Sequence, residues 1–80
     1  MSQPMPDYTY IGRRIQEIRL RKGMSKTAFC DLIGISSATL RAYEKGRQKM
    51  NAEILYLIAK ETGFSLDWIY GLSERERHGW

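Results

Sequence analysis

Residues 26–43 read KTAFCDLIGISSATLRAY. The stretch divides at Gly34-Ile35-Ser36 into two short segments with helical periodicity. In the first, Lys26–Ile33, the apolar residues are Phe29, Leu32 and Ile33. In the second, residues 37–45, Leu40 and Tyr43 are expected to face inward. Cys30 stands mid-segment, where a small side chain lets a second helix cross closely. Gly34 falls in the turn, where a positive φ costs glycine nothing. Ile35 anchors the turn, Ser36 is placed to cap the second helix, and Leu40 is placed to pack back on Phe29 and Ile33. A small residue, a glycine four positions on and an apolar residue six further is the spacing that two helices crossing steeply through a tight turn require.

Outward from this stretch the chain is punctuated in the same way. Gly23, Gly34, Gly46, Gly63 and Gly71 each follow a helical segment and suit the left-handed residue that closes one. Ser25, Ser36, Asn51 and Ser65 open the following segments as caps, and Thr9 is the candidate for the first. Besides Lys26–Ile33 and 37–45, helices are expected over 10–22, 52–61 and Leu66–Tyr70. In the first, Ile11, Ile15 and Ile18 share a stripe; in the fourth, Ile54, Leu55, Leu57, Ile58 and Ala59 are apolar. Period-two alternation is scarce, so no strand is expected. The fold class is all-α, a compact bundle of about five short helices with a helix-turn-helix at 26–45. Residues 1–9 read as a flexible arm, 10–72 as the domain and 73–80 as a polar tail.

Eighty residues fit one domain. Net charge is +4 and unevenly spread. Residues 19–49 carry eight basic and two acidic residues, the remainder five and seven. A basic middle points to a polyanionic partner. The single cysteine, Cys30, excludes an internal disulfide and fits a reducing compartment. The first residues lack the basic start and apolar run of a signal peptide, and no apolar stretch reaches the roughly 18–20 residues of a membrane span. A cytoplasmic location without membrane attachment is expected. No nucleophile–base pair, carboxylate pair or metal-ligand set is evident, so neither enzymatic activity nor a cofactor or metal is expected. Cys30 reads as a small core residue, and His78, without partners at metal spacing, as solvated. Tyr8 and Tyr10 read as packing residues. Glu74, Arg75, Glu76 and Arg77 alternate as in an exposed tail.

Ile11-Gly-Arg-Arg-Ile-Gln-Glu-Ile-Arg-Leu-Arg-Lys-Gly-Met-Ser25, the stretch 26–43, Glu44-Lys-Gly-Arg47, Leu57-Ile-Ala and Ser65-Leu-Asp-Trp-Ile69 stand in order along the chain. Together they resemble the Cro/CI-type, XRE-like helix-turn-helix family of phage repressors and bacterial regulators, over residues 10–72. The resemblance implies a lambda-repressor-like domain and assigns roles to residues. Ser25 and Lys26 stand where the second helix begins on the phosphate backbone, as helix N-termini suit phosphate. Ser37, Ala38, Thr39, Arg41 and Ala42 stand on or beside the face that reads bases in the major groove. Lys45, Arg47, Gln48 and Lys49 stand in the loop that grips phosphates after the third helix. Arg19 and Glu44 stand where the family often buries an ion pair. Leu66, Asp67 and Ile69 stand where related repressors pair across a two-fold axis, and Trp68 matches a core position.

Two positions depart from the family pattern. Ser37, Ala38 and Ala42 occupy groove positions that often hold Gln or Asn, which bond a base in two places. Discrimination is then expected from Arg41, Thr39 and DNA shape. Met50 replaces a frequent proline, which implies a looser entry to the fourth helix. The implied function is a sequence-specific regulator, expected to be a repressor. It would bind double-stranded DNA at a pseudo-palindromic operator as a homodimer. The alternative is an antitoxin or interaction module on the same fold, with a toxin or antirepressor as partner. That reading needs a further apolar surface, for which the tail ending in Trp80 is the candidate.

Overall fold

Four helices open on the caps read from the sequence. Ser25 Oγ accepts from the Ala28 N–H, Ser36 Oγ from Thr39, Asn51 Oδ1 from Glu53 and Ser65 Oγ from Trp68. Each side chain satisfies an N–H that the first turn leaves without an intrahelical partner. In the computed structural model, which describes residues 7–75, the helices are α1 (Tyr8–Arg21), α2 (Lys26–Ile33), α3 (Ser37–Glu44), α4 (Ala52–Thr62) and α5 (Leu66–Tyr70). The described residues form no β-strand beyond an isolated bridge at Phe64. The five punctuating glycines all have positive φ.

The first helix starts earlier than the sequence suggested. Asp7 is its cap, its Oδ1 accepting from the N–H groups of Thr9 and Tyr10 at 3.1 and 3.2 Å. Thr9 lies inside the first turn. Tyr8 and Thr9 thus belong to α1 and not to an arm. The rest of the expected arm, residues 1–6, and residues 76–80 of the expected tail, with His78 and Trp80, lie outside the described residues.

The core forms where the helical stripes converge. Ile11, Ile15 and Ile18 from α1 meet Phe29, Cys30 and Ile33 from α2 and Leu40 and Tyr43 from α3. Leu55, Ile58 and Ala59 of α4, Phe64, and Trp68 and Ile69 of α5 complete it. Helix α1 packs on α3 and α5, α2 on α3 and α4, and α4 on α5. Met50, the residue replacing proline, is buried in this core ahead of α4. The ring of Trp68 lies 5.0 Å from that of Phe64, and the Arg14 guanidinium sits 4.0 Å from the Trp68 ring. Arg14 also donates to the Tyr10 hydroxyl, tying the start of α1 to α5.

Candidate nucleic-acid interface

The α2–α3 turn has the local chemistry the sequence implied. Gly34 takes φ 84°, and the N–H groups of Gly34 and Ile35 both donate to the Cys30 carbonyl, at 2.7 and 3.1 Å. That closes α2 and releases Ser36 into the extended conformation of a cap. Leu40 and Tyr43 turn into the core. The opposite side of α3 consequently faces outward, with Ser37, Ala38 and Arg41 exposed and Ala42 half-buried.

Ser37, Ala38, Arg41, Ala42 and Arg47 line one open recess of about 380 Å³. Four of them were assigned to base contact and Arg47 to phosphate, and the fold places all five together. Thr39 does not join them. It is half-buried, and its Oγ1 accepts from the Ser36 hydroxyl at 2.9 Å, which holds it to the cap. Ser25 and Lys26 are exposed at the start of α2, and Lys45, Gln48 and Lys49 are exposed after α3. Gln48 and Lys49 border a different depression with Tyr8, Tyr43, Met50 and Tyr70. The outward face of α3 is therefore a small, uncharged strip with basic side chains at its borders. Such a strip admits close approach of a flat edge, while the borders attract a polyanion.

Arg19 and Glu44 form the ion pair the resemblance implied. Arg19 Nε donates to Glu44 Oε2 at 2.9 Å, and the two side chains are 8% and 7% exposed. The remaining arginine edge donates to the Met24 carbonyl at 3.1 Å. The pair fixes α1 to the end of α3 and so sets the angle at which α3 is presented.

The dimer assignment divides. Leu66 is half-buried and Asp67 exposed, but Ile69 is wholly buried in the core of its own chain. Ile69 cannot supply a pairing surface, because α5 turns that side chain inward beside Trp68. Leu66 instead borders a shallow depression with Tyr56, Ala59 and Lys60, and Tyr56 is 56% exposed. Tyr56 was not singled out from the sequence; an aromatic amid the apolar run of 52–61 gives no sign of its side. Gly12 was also missed. It is buried at the α1–α3 crossing, where an added Cβ would stand 2.2 Å from the Tyr43 carbonyl oxygen.

Among the described residues no group of His, Cys, Asp or Glu could hold a metal ion, and no helix is long and apolar enough to cross a membrane.

A model of the family described as "Helix-turn-helix" matches residues 15–69. An uncharacterized HTH-type transcriptional regulator of Rickettsia conorii is 30% identical over 70 residues, covering 86% of this chain and 56% of that one. An uncharacterized transcriptional regulator from the ATPase CF(0) region of Rhodospirillum rubrum is 29% identical over 66 residues, covering 82% and 61%. The chain thus spans between half and two thirds of the length of these relatives. Among solved structures, the restriction-modification controller protein C.AhdI of Aeromonas hydrophila superposes with a TM-score of 0.72 at 20% identity, over 81% of this chain and 98% of that one. The clp gene regulator ClgR of C. glutamicum gives 0.71 at 21% identity, over 84% and 86%. These two establish likeness of fold. With the family model matching more than half of its length, and with the turn, caps and crossing in place, this chain belongs to the XRE-type helix-turn-helix family.

Proposed function

We propose that this chain is a sequence-specific double-stranded-DNA-binding transcriptional regulator that represses by occupying a pseudo-palindromic operator as a homodimer. The observation that carries this reading is the outward face of α3. Its small residues, Ser37, Ala38 and Ala42, share one recess with Arg41 and Arg47, and Lys26, Lys45 and Lys49 are exposed at the start of α2 and after α3. A helix with that profile fits the major groove, where base edges are read, while the borders meet phosphate. Ser25 and Lys26 at the start of α2 meet the backbone through a helix N-terminus, and Gln48 adds a polar contact after α3.

Two copies would pair through the depression formed by Tyr56, Ala59, Lys60 and Leu66, with the exposed Asp67 next along α5. Ile69 supports the pairing helix from within. Pairing would set two recognition helices about 34 Å apart, one turn of DNA. Binding at such a site excludes other proteins from it and needs neither catalysis nor a cofactor. A chain acting in this way works in the cytoplasm beside its DNA. The protein assignment is supported further by relatives named as transcriptional regulators.

Selection of bound sites from random duplex DNA tests the reading. The expected result is an enriched half-site repeated in inverted order. Recovery of unenriched sequence, or of no duplex at all, would reject sequence-specific binding. A single half-site without its inverted copy would reject the dimer.

A further inference from the structure

The family resemblance puts Arg47 with the residues that grip phosphate. Its backbone places it elsewhere. The Arg47 N–H donates to the Ala42 carbonyl at 2.9 Å, and the Gly46 N–H donates to Tyr43 at 3.0 Å. These bonds fold the chain back along the last turn of α3. Gly46 makes the reversal at φ 69°, and an added Cβ would lie 2.6 Å from Thr9 Cα, so the turn is clasped between α3 and the start of α1. Arg47 thereby borders the recess of Ser37, Ala38, Arg41 and Ala42, while Gln48 and Lys49 turn to the other depression.

Two arginines thus line one recess with Ala38 and Ala42, which offer methyl groups, and Ser37, whose hydroxyl is the one other hydrogen-bonding side chain in that lining. In the major groove an arginine fork matches guanine O6 and N7, and the apolar group on a base edge is the C5-methyl of thymine. 5-Methylcytosine carries the same methyl. The geometry points to a recess that reads a guanine beside a 5-methylpyrimidine, with Arg47 as a specificity-determining residue alongside Arg41. The inference rests on the DNA-binding role of α3 proposed for this chain. The competing occupant is a phosphate held between the two arginines, which would need charge but no fork.

Arg47→Lys separates them, because lysine keeps the charge and loses the planar fork. Arg47 is exposed, and circular dichroism checks that the variant keeps the helical spectrum. Affinities are measured for the selected operator and a scrambled duplex. Each pyrimidine beside a guanine is also replaced in turn by thymine, uracil, cytosine and 5-methylcytosine. Arg47→Lys should lower the ratio of specific to non-specific affinity about tenfold, the loss falling far more on the operator than on scrambled DNA. At one position, uracil in place of thymine should weaken wild-type binding about three- to tenfold, the worth of one buried methyl. At that position 5-methylcytosine should bind better than cytosine. An unchanged ratio, or an equal loss on both duplexes, assigns Arg47 to phosphate and overturns the inference. Uracil tolerated at every position overturns it as well. Failure of the wild type to prefer the operator under any salt condition is a separate observation, and rejects the DNA-reading role along with the inference.

Discussion

Arg19 Nε donates to Glu44 Oε2 at 2.9 Å between side chains that are 8% and 7% exposed, joining the last turn of α1 to the last residue of α3. The pair lies where solvent screens little, so its loss is not the small loss of a surface pair. Glu44→Ala leaves a nearly buried guanidinium that keeps its bond to the Met24 carbonyl but loses its counter-charge. The expected cost is about 3 kcal/mol, at the lower end for breaking a buried pair. Urea unfolding of the variant checks it; a cost below about 1 kcal/mol would place the pair energetically at the surface.

Gly12 is the second constraint on that crossing. Alanine improves helix propensity over glycine by about 1 kcal/mol. Here its Cβ would stand 2.2 Å from the Tyr43 oxygen and 2.8 Å from the Glu44 oxygen, both backbone atoms that cannot swing aside. Gly12→Ala should therefore destabilise by about 1–3 kcal/mol, overpacking outweighing propensity. Gly23→Ala is the control, with φ 68° and open space around the added atom, and should cost about 1–2 kcal/mol through backbone conformation alone. Thermal melts should show the Gly12 variant losing α1–α3 packing, with weaker near-ultraviolet circular dichroism. A Gly12→Ala protein as stable as the wild type would contradict the close crossing.

Ile69 and Tyr56 should separate folding from pairing. Ile69 is wholly buried, and truncation to alanine should cost about 2–5 kcal/mol in any oligomeric state. Tyr56 is 56% exposed, and Tyr56→Glu should leave the monomer folded while abolishing cooperative binding to paired half-sites. Sedimentation and operator titration measure both. A Tyr56→Glu protein that binds paired half-sites like the wild type would remove that depression from the interface.

With Lys26, Lys45 and Lys49 on phosphate as proposed, a dimer would make six cationic contacts, and counterion release would set a slope of log affinity against log salt near −5, on the order of 0.9 per contact. Lys26→Ala should flatten that slope by about 2. Because phosphate carries no sequence information, operator and scrambled duplex should lose affinity alike. A loss confined to the operator would mean that Lys26 touches bases.

The number and order of the helices, their caps at Ser25, Ser36, Asn51 and Ser65, and the turn at Gly34 were legible in the sequence. These features arise from bonds spanning a few residues, such as Ser36 Oγ with the Thr39 N–H, and a local bond leaves a local signature. The stripe of Ile11, Ile15 and Ile18 was legible because three residues at helical spacing define a face. Tertiary structure decided the rest. A five-residue helix is too short for its pattern to fix its rotation; the resemblance implied Trp68 as a core residue, and only packing showed Ile69 turned inward with it. Asp7 displaced Thr9 as the cap because α1 begins two residues earlier, where Thr9 meets Gly46 after α3. Arg47 reached the recess on the outward side of α3 as its N–H bonded the Ala42 carbonyl, and Gly12 was committed by two carbonyl oxygens of α3 more than thirty residues away in sequence. Such constraints depend on where a distant backbone arrives, and no spacing along the chain encodes that.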